Sequence, residues 1–234
     1  VLVVVAQAMY VAVITNHLGP GPIVAEFEEK MADYMGVKNA IAVNSGTSSM
    51  LLSLDALGIG NGDEVITTPF TFAATSNVII QRNAHPIFVD IEPDTFNLDP
   101  KKIEAVITEK TKAIMPIDYG GQSAEILEIN EIAEKHGLAV IEDAAPALGG
   151  VHKNKKVGSI STMTGFSFGP DKNLNTGEGG LIVTNDNELA EKCKILRKEY
   201  TKWNSQTTQR DPKRKKRAKE MVKIIADLRK QYNC

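Results

Sequence analysis

Short apolar runs that do not alternate with polar residues recur along this chain, each bounded by Gly, Asp or Pro, with helix-length stripes between them. The candidate strands are Ala40 to Val43, Glu64 to Thr67, Pro86 to Asp90, Lys112 to Ile117, Leu138 to Glu142, Gly165 to Phe168 and Leu181 to Thr184. Strands that read as continuous apolar runs are covered on both faces, the condition of a parallel sheet between helices. Helical spacing fills most of the gaps. Ile23, Val24, Phe27, Met31 and Tyr34 precede a stop at Gly36, and Ser48 to Leu57, Ala73 to Gln81, Pro100 to Ile107 and Ala124 to His136 follow. The expected fold is α/β, a three-layer sandwich with a mostly parallel sheet.

The two ends of the chain differ from this middle. With 234 residues, 42% hydrophobic and 24% charged, a disordered or collagen-like chain is excluded. The net charge of -2 hides an asymmetry: residues 201–234 carry eleven of the 27 Lys+Arg and three of the 29 Asp+Glu, which makes that tail +8 and the first 200 residues -10. Lys213 to Arg217 is a continuous basic run, and Ala218, Met221, Ile225, Leu228 and Tyr232 follow it at helical spacing. A basic amphipathic helix is expected, either solvated against the acidic body or in contact with nucleic acid or an anionic membrane surface. Only Trp203 and Tyr232 supply rings there, so nucleic acid is not the expected partner. At the other end, Val1 to Ile14 is almost wholly apolar, but it contains Gln7, lacks a preceding basic residue and is shorter than a membrane span. It reads as a buried strand or helix, with the true start of the protein missing from the chain. Three parts follow: an apolar segment 1–20, a large domain 21–200 and a basic tail 201–234. Cys193, Cys234 and the scattered His17, His85, His136 and His152 form neither a disulfide framework nor a metal-ligand spacing. No metal is expected, and a reducing, cytoplasmic setting is.

Open parallel sheets bind ligands where their strands end, and four such places carry chemistry. Asn44-Ser45-Gly46-Thr47-Ser48-Ser49 follows one strand and opens a helix, which makes either a phosphate cradle or an ordinary N-cap. Val140-Ile141-Glu142-Asp143 delivers a carboxylate from an apolar strand; buried, it wants a cation such as a protonated pyridine nitrogen, although an Asp capping the next turn is the alternative. Phe166-Ser167-Phe168-Gly169-Pro170-Asp171-Lys172 places a lysine in a loop where it can be tuned to form Schiff bases, or can be one more solvated charge. Finally, Pro69-Phe70-Thr71-Phe72 presents an aromatic ring that either covers a flat cofactor or belongs to the core.

Phosphate cradle, ring, strand-end acid and loop lysine, in that order, are the fittings of a pyridoxal phosphate site. Residues 21–200 resemble the large domain of the DegT-type (DegT/DnrJ/StrS) sugar aminotransferases, fold type I pyridoxal phosphate enzymes, through GPIVAEFEEKMADYMGVKNAIAVNSGTSS, TPFTF, HPIFVDIEPDTFNLDP, VIEDAAPALGG and FSFGPDKNLNTGEGGLIVTND. The resemblance implies Lys172 as the Schiff-base lysine, Asp143 as partner of the pyridine nitrogen, Phe72 as the ring over the cofactor, and Gly46, Thr47, Ser48 and Ser167 around the phosphate. It further implies amino transfer, from glutamate, to a nucleotide-linked keto sugar in polysaccharide or glycan precursor synthesis, in a homodimer. Pro146 stands where such proteins carry Gln or His, Gly169 where they carry a larger residue, and their smaller C-terminal domain is expected to be missing here. The competing expectation is a catalytically silent remnant that binds through its basic tail.

Overall fold

The computed structural model of the chain describes residues 21–210. The apolar run Val1 to Ile14 and the basic run Lys213 to Arg217 lie outside the described residues, so the readings made of them are not addressed. Seven strands form the main sheet: β1 (Asn39–Val43), β2 (Glu64–Thr67), β3 (His85–Phe88), β4 (Thr111–Ile114), β5 (Ala139–Asp143), β8 (Met163–Ser167) and β9 (Gly180–Thr184), in the order β1-β9-β8-β5-β4-β2-β3. Strands β3, β2, β4, β5 and β8 pair in parallel, and only β9 runs against its neighbours. The expectation of a mostly parallel sheet is met. Pro86, which cannot donate to a ladder, sits in β3 at the sheet edge, where its missing N–H costs nothing.

Helices cover both faces. Met50 and Leu54 of α2 (Gly46–Ala56) and Val78 and Ile79 of α3 (Ala73–Gln81) pack on Val65, Ala113 and Ile141. On the other face Ile126, Ile129 and Ala133 of α4 (Ile126–His136) meet Ile66, Ile114 and Val140, while Met31 and Met35 of α1 (Pro22–Met35) meet Phe166, Leu181 and Val183. Residues 140 and 141 thus point to opposite faces, as the strand period of two requires. The helix α1 stops where the sequence puts its stop: Gly36 adopts φ 71°, the left-handed conformation that glycine enters without penalty.

The structure departs from the sequence expectation in three places. Pro100 to Ile107 is not one helix but two 3₁₀ turns, Pro100–Lys102 and Glu104–Val106, because Asp99 caps the Lys101 N–H and Ile103 plunges into the core between them. Helix α2 starts at Gly46 rather than Ser48, since the Ser45 hydroxyl caps the Ser48 N–H at 3.1 Å. A two-strand hairpin, β6 (Val151–His152) with β7 (Lys155–Lys156), turns through Lys153 and Asn154 at φ 45° and 67°. Its strands are too short to carry a readable period.

The chain divides into two compact units, with the boundary between Lys194 and Ile195, inside α5 (Asn187–Arg210). Within the first unit Leu189, Ala190 and Cys193 of α5 are buried. No helix among the described residues is long and apolar enough to cross a membrane. Leu54 is fully buried in the α2 layer, so Leu54→Ala is expected to cost about 2–5 kcal/mol of stability, read by urea denaturation of the purified chain.

Candidate active site

Every parallel strand of the sheet ends on one edge, and the chain segments that follow β1, β2, β4, β5 and β8 surround a cavity of about 460 Å³ there. This size lies within the usual range of small-molecule sites. Asp143, the last residue of β5, lines it and is only 3% exposed. Its carboxylate accepts from the Thr75 hydroxyl at 2.8 Å and from the Ala145 N–H at 3.3 Å, and no ion pair reaches it among the described residues. Burial pushes its carboxyl above the ordinary range, while the Thr75 and Ala145 donors and the charge of Lys172 pull it back. A buried acid held by two neutral donors has room for a cationic N–H from a ligand.

Lys172 lines the same cavity from the loop after β8. Its amine lies 2.8 Å from the Asp171 carboxylate, and its side chain is 26% exposed. That hydrogen bond holds the exposed Asp171 carboxyl below its ordinary range. Phe72 caps the start of α3 and is 78% exposed, so the core reading of this ring does not hold; it is a bare ring on the cavity wall. Gly46 and Thr47, the first residues of α2, line the cavity opposite Ser167 at the end of β8. Helix starts leave N–H groups without intrahelical partners, and the dipole favours an anion there. A Cβ on Gly46 would come within 2.7 Å of the Ser167 Cβ, so only glycine lets the helix start press this close to the strand.

The structure therefore brings Lys172, Asp143, Phe72, Gly46, Thr47 and Ser167 together. Ser48 is adjacent but does not line the cavity: its side chain and main-chain N–H are both engaged with the Ser45 hydroxyl. Pro146 and Gly169 line the cavity as well. Sequence reasoning passed over Thr75, one helical turn beyond Phe72, and the wall formed by Ile117, Tyr119 and Gly120. The signal for the wall was available, since Ile117-Asp118-Tyr119-Gly120-Gly121 follows an apolar strand as the other site loops do. Among the described residues no cluster of His, Cys, Asp and Glu is arranged to hold a metal ion.

The pattern of the DegT/DnrJ/EryC1/StrS aminotransferase family matches residues 6–219. The chain belongs to this family. As a DegT-family member it is 50% identical over 179 residues to the spore coat polysaccharide biosynthesis protein SpsC of Bacillus subtilis, 76% of this chain and 46% of that protein. It is likewise 50% identical over 177 residues to GDP-perosamine synthase of Caulobacter vibrioides, covering 76% of this chain and 48% of that one. Among solved structures, NtdA of Bacillus subtilis with bound cofactor PMP superposes with a TM-score of 0.76 at 37% identity, over 81% of this chain and 43% of that chain. The DegT-family match reaches beyond residues 21–200 at both ends, and the chain spans about half the length of the curated relatives it matches.

Thr75→Val removes the hydroxyl that Asp143 accepts from while keeping the shape of the side chain. It is expected to destabilise the chain by about 1–3 kcal/mol at neutral pH, with a smaller loss as pH falls and Asp143 takes up a proton, measured by denaturation across pH.

Proposed function

We propose that this chain is the cofactor-binding part of a pyridoxal phosphate-dependent aminotransferase acting on a nucleotide-linked keto sugar, with glutamate as amino donor. The observation that carries the reading is the convergence of the Lys172 amine and the buried Asp143 carboxylate on one cavity. The family match, the PMP-bound relative and the name GDP-perosamine synthase support the cofactor and the substrate class, and the name of SpsC supports a place in polysaccharide synthesis. We assign the assembly as a homodimer on family likeness and the compartment as cytoplasmic on cysteine usage.

The residues present fit the group. Asp143 would accept the N–H of the pyridine nitrogen, Phe72 would cover the ring, and the start of α2 with Ser167 would hold the phosphate. Bound here, pyridoxal phosphate supplies an aldehyde that takes up an amino group and a ring that accepts the electron pair left when a neighbouring C–H proton departs. The chain's part is then proton management. Lys172 Nζ would take the proton from the donor carbon that bears the amine and hold it for return, base first and acid second. Asp143, already out of water, holds the ring-nitrogen proton in place so that the charge sink stays available.

Purified chain mixed with pyridoxal phosphate is expected to develop a visible absorbance band that borohydride fixes on Lys172. Lys172→Ala is expected to lose the fixed adduct and to slow amine transfer from glutamate by about 10²–10⁴-fold or more. A colourless mixture in which the wild type and Lys172→Ala behave alike would overturn the proposal.

A further inference from the structure

Strand alternation places the side chain of Glu142 on the face of β5 opposite Asp143, and there it meets a second acid, Asp118, from the segment after β4. Both are fully buried. Glu142 Oε2 accepts from the Ser161 and Thr164 hydroxyls at 2.9 and 2.8 Å, and Asp118 Oδ1 accepts from the Ala124 N–H at 2.9 Å. The remaining Asp118 oxygen, Oδ2, has no donor from the rest of the described residues, the Glu142 carboxyl has none beyond Ser161, Thr164 and the Gly158 N–H, and the two carboxyl groups lie within hydrogen-bonding reach of each other. Two dry, ionised carboxylates facing each other would repel and leave Asp118 Oδ2 unsatisfied. One proton between them removes both costs, as a charge-assisted O–H···O⁻ bond.

Asp118 also anchors the backbone around the cavity. Its N–H donates to the Asp143 carbonyl at 3.1 Å, its carbonyl accepts from the Gly121 N–H at 3.1 Å, and the residues between, Tyr119 and Gly120, line the cavity. We propose that Asp118 is a positioning residue, clamping the Tyr119–Gly121 wall of the cavity onto β5 through a single proton shared with Glu142. The clamp belongs to this chain's own fold and does not require that the cavity take pyridoxal phosphate.

The pH dependence follows from the surroundings of the pair. Asp118 feels Glu142 and, more weakly, Asp143, and Asp143 in turn feels the Lys172 cation; Glu142 faces the neutral donors Ser161, Thr164 and the Gly158 N–H. Burial and the neighbouring acid both push the Asp118 carboxyl well above its ordinary value of 3.8. The folded clamp therefore binds a proton that the open segment releases, and its contribution to stability falls as pH rises above that ordinary value. Where opening releases one proton, the opening equilibrium grows about tenfold for each pH unit.

Asp118→Asn separates this clamp from a merely structural role. The amide keeps an oxygen for the Ala124 N–H and offers Glu142 an N–H that no pH in the working range removes. Hydrogen-exchange protection of residues 118–124, normalised to intrinsic rates and measured without cofactor, is expected to fall by about tenfold per pH unit in the wild type as pH rises above the ordinary carboxylate range, until the folded pair loses its proton, and to stay level in Asp118→Asn. The infrared spectrum of the wild type, taken at a pH just above the ordinary carboxylate range, is expected to contain a carboxylic-acid C=O stretch that the substitution removes. Parallel decline of protection in both proteins, or a wild-type spectrum with no acid carbonyl assignable to this pair, would overturn the proposal. Both readouts use the chain alone, so a failure here leaves the aminotransferase reading standing, and a failure of that reading leaves the clamp standing.

Discussion

A carboxylate stripped of water at the end of the central strand sets the terms for everything around it. Strand β5 lies between β4 and β8 with helices on both faces, so Asp143 leaves the sheet in a place that water does not reach. Holding a charge there costs several kcal/mol unless partners offset it. Two neutral donors, Thr75 from α3 and Ala145 from the strand's own continuation, offset part of that cost. What they leave over is open to a cationic N–H brought by a ligand. The layers of α2, α3 and α4 serve, in this view, to keep one acid dry while a cavity stays open in front of it.

Close approach is the second requirement, and it is met by absent side chains rather than present ones. Gly46 lets the start of α2 touch β8 at Ser167, and Gly180 lets the Ser45 carbonyl lie against the start of β9. Helix start and strand ends thereby form one continuous surface, with Gly46, Thr47 and Ser167 side by side on the cavity wall. Larger residues at either position would separate the anion-favouring helix end from the acid and the lysine.

Most of this architecture could be read from the chain alone because each buried strand is an unbroken apolar run, and such runs have few alternatives. The span Glu64 to Thr67 matches its expected bounds, and the others are displaced by one to three residues where turn residues shade into strand. Pro100 to Ile107 misled because helical spacing in eight residues does not separate an α-helix from two 3₁₀ turns, and the cap at Asp99 decided the outcome. At the site, Asp143 was legible as the acid that ends a strand, and Lys172 and Phe72 as single residues in loops that follow strands. Thr75 was not, and Asp118 was legible only as a member of the loop after β4, since the parts of both depend on which side chains the fold sets against them. Glu142 had been read only as part of the strand that delivers Asp143, and its own pairing arises from strand alternation combined with a segment 24 residues earlier.

The two margins of the sheet have a further consequence for how the chain lives at high concentration. The His85 N–H of β3 and the Val89 N–H just past its end donate inward to the carbonyls of Asp63 and Thr67, so the even-numbered positions face outward, and there Pro86 has no hydrogen to offer. At the opposite margin the Ala42 N–H of β1 is taken by the Glu28 carboxylate of α1 at 2.8 Å. A visiting strand finds a mute position at one rim and an occupied one at the other. Each rim therefore withholds one hydrogen that an added strand would need, which makes the sheet a poorer template for growth into fibres.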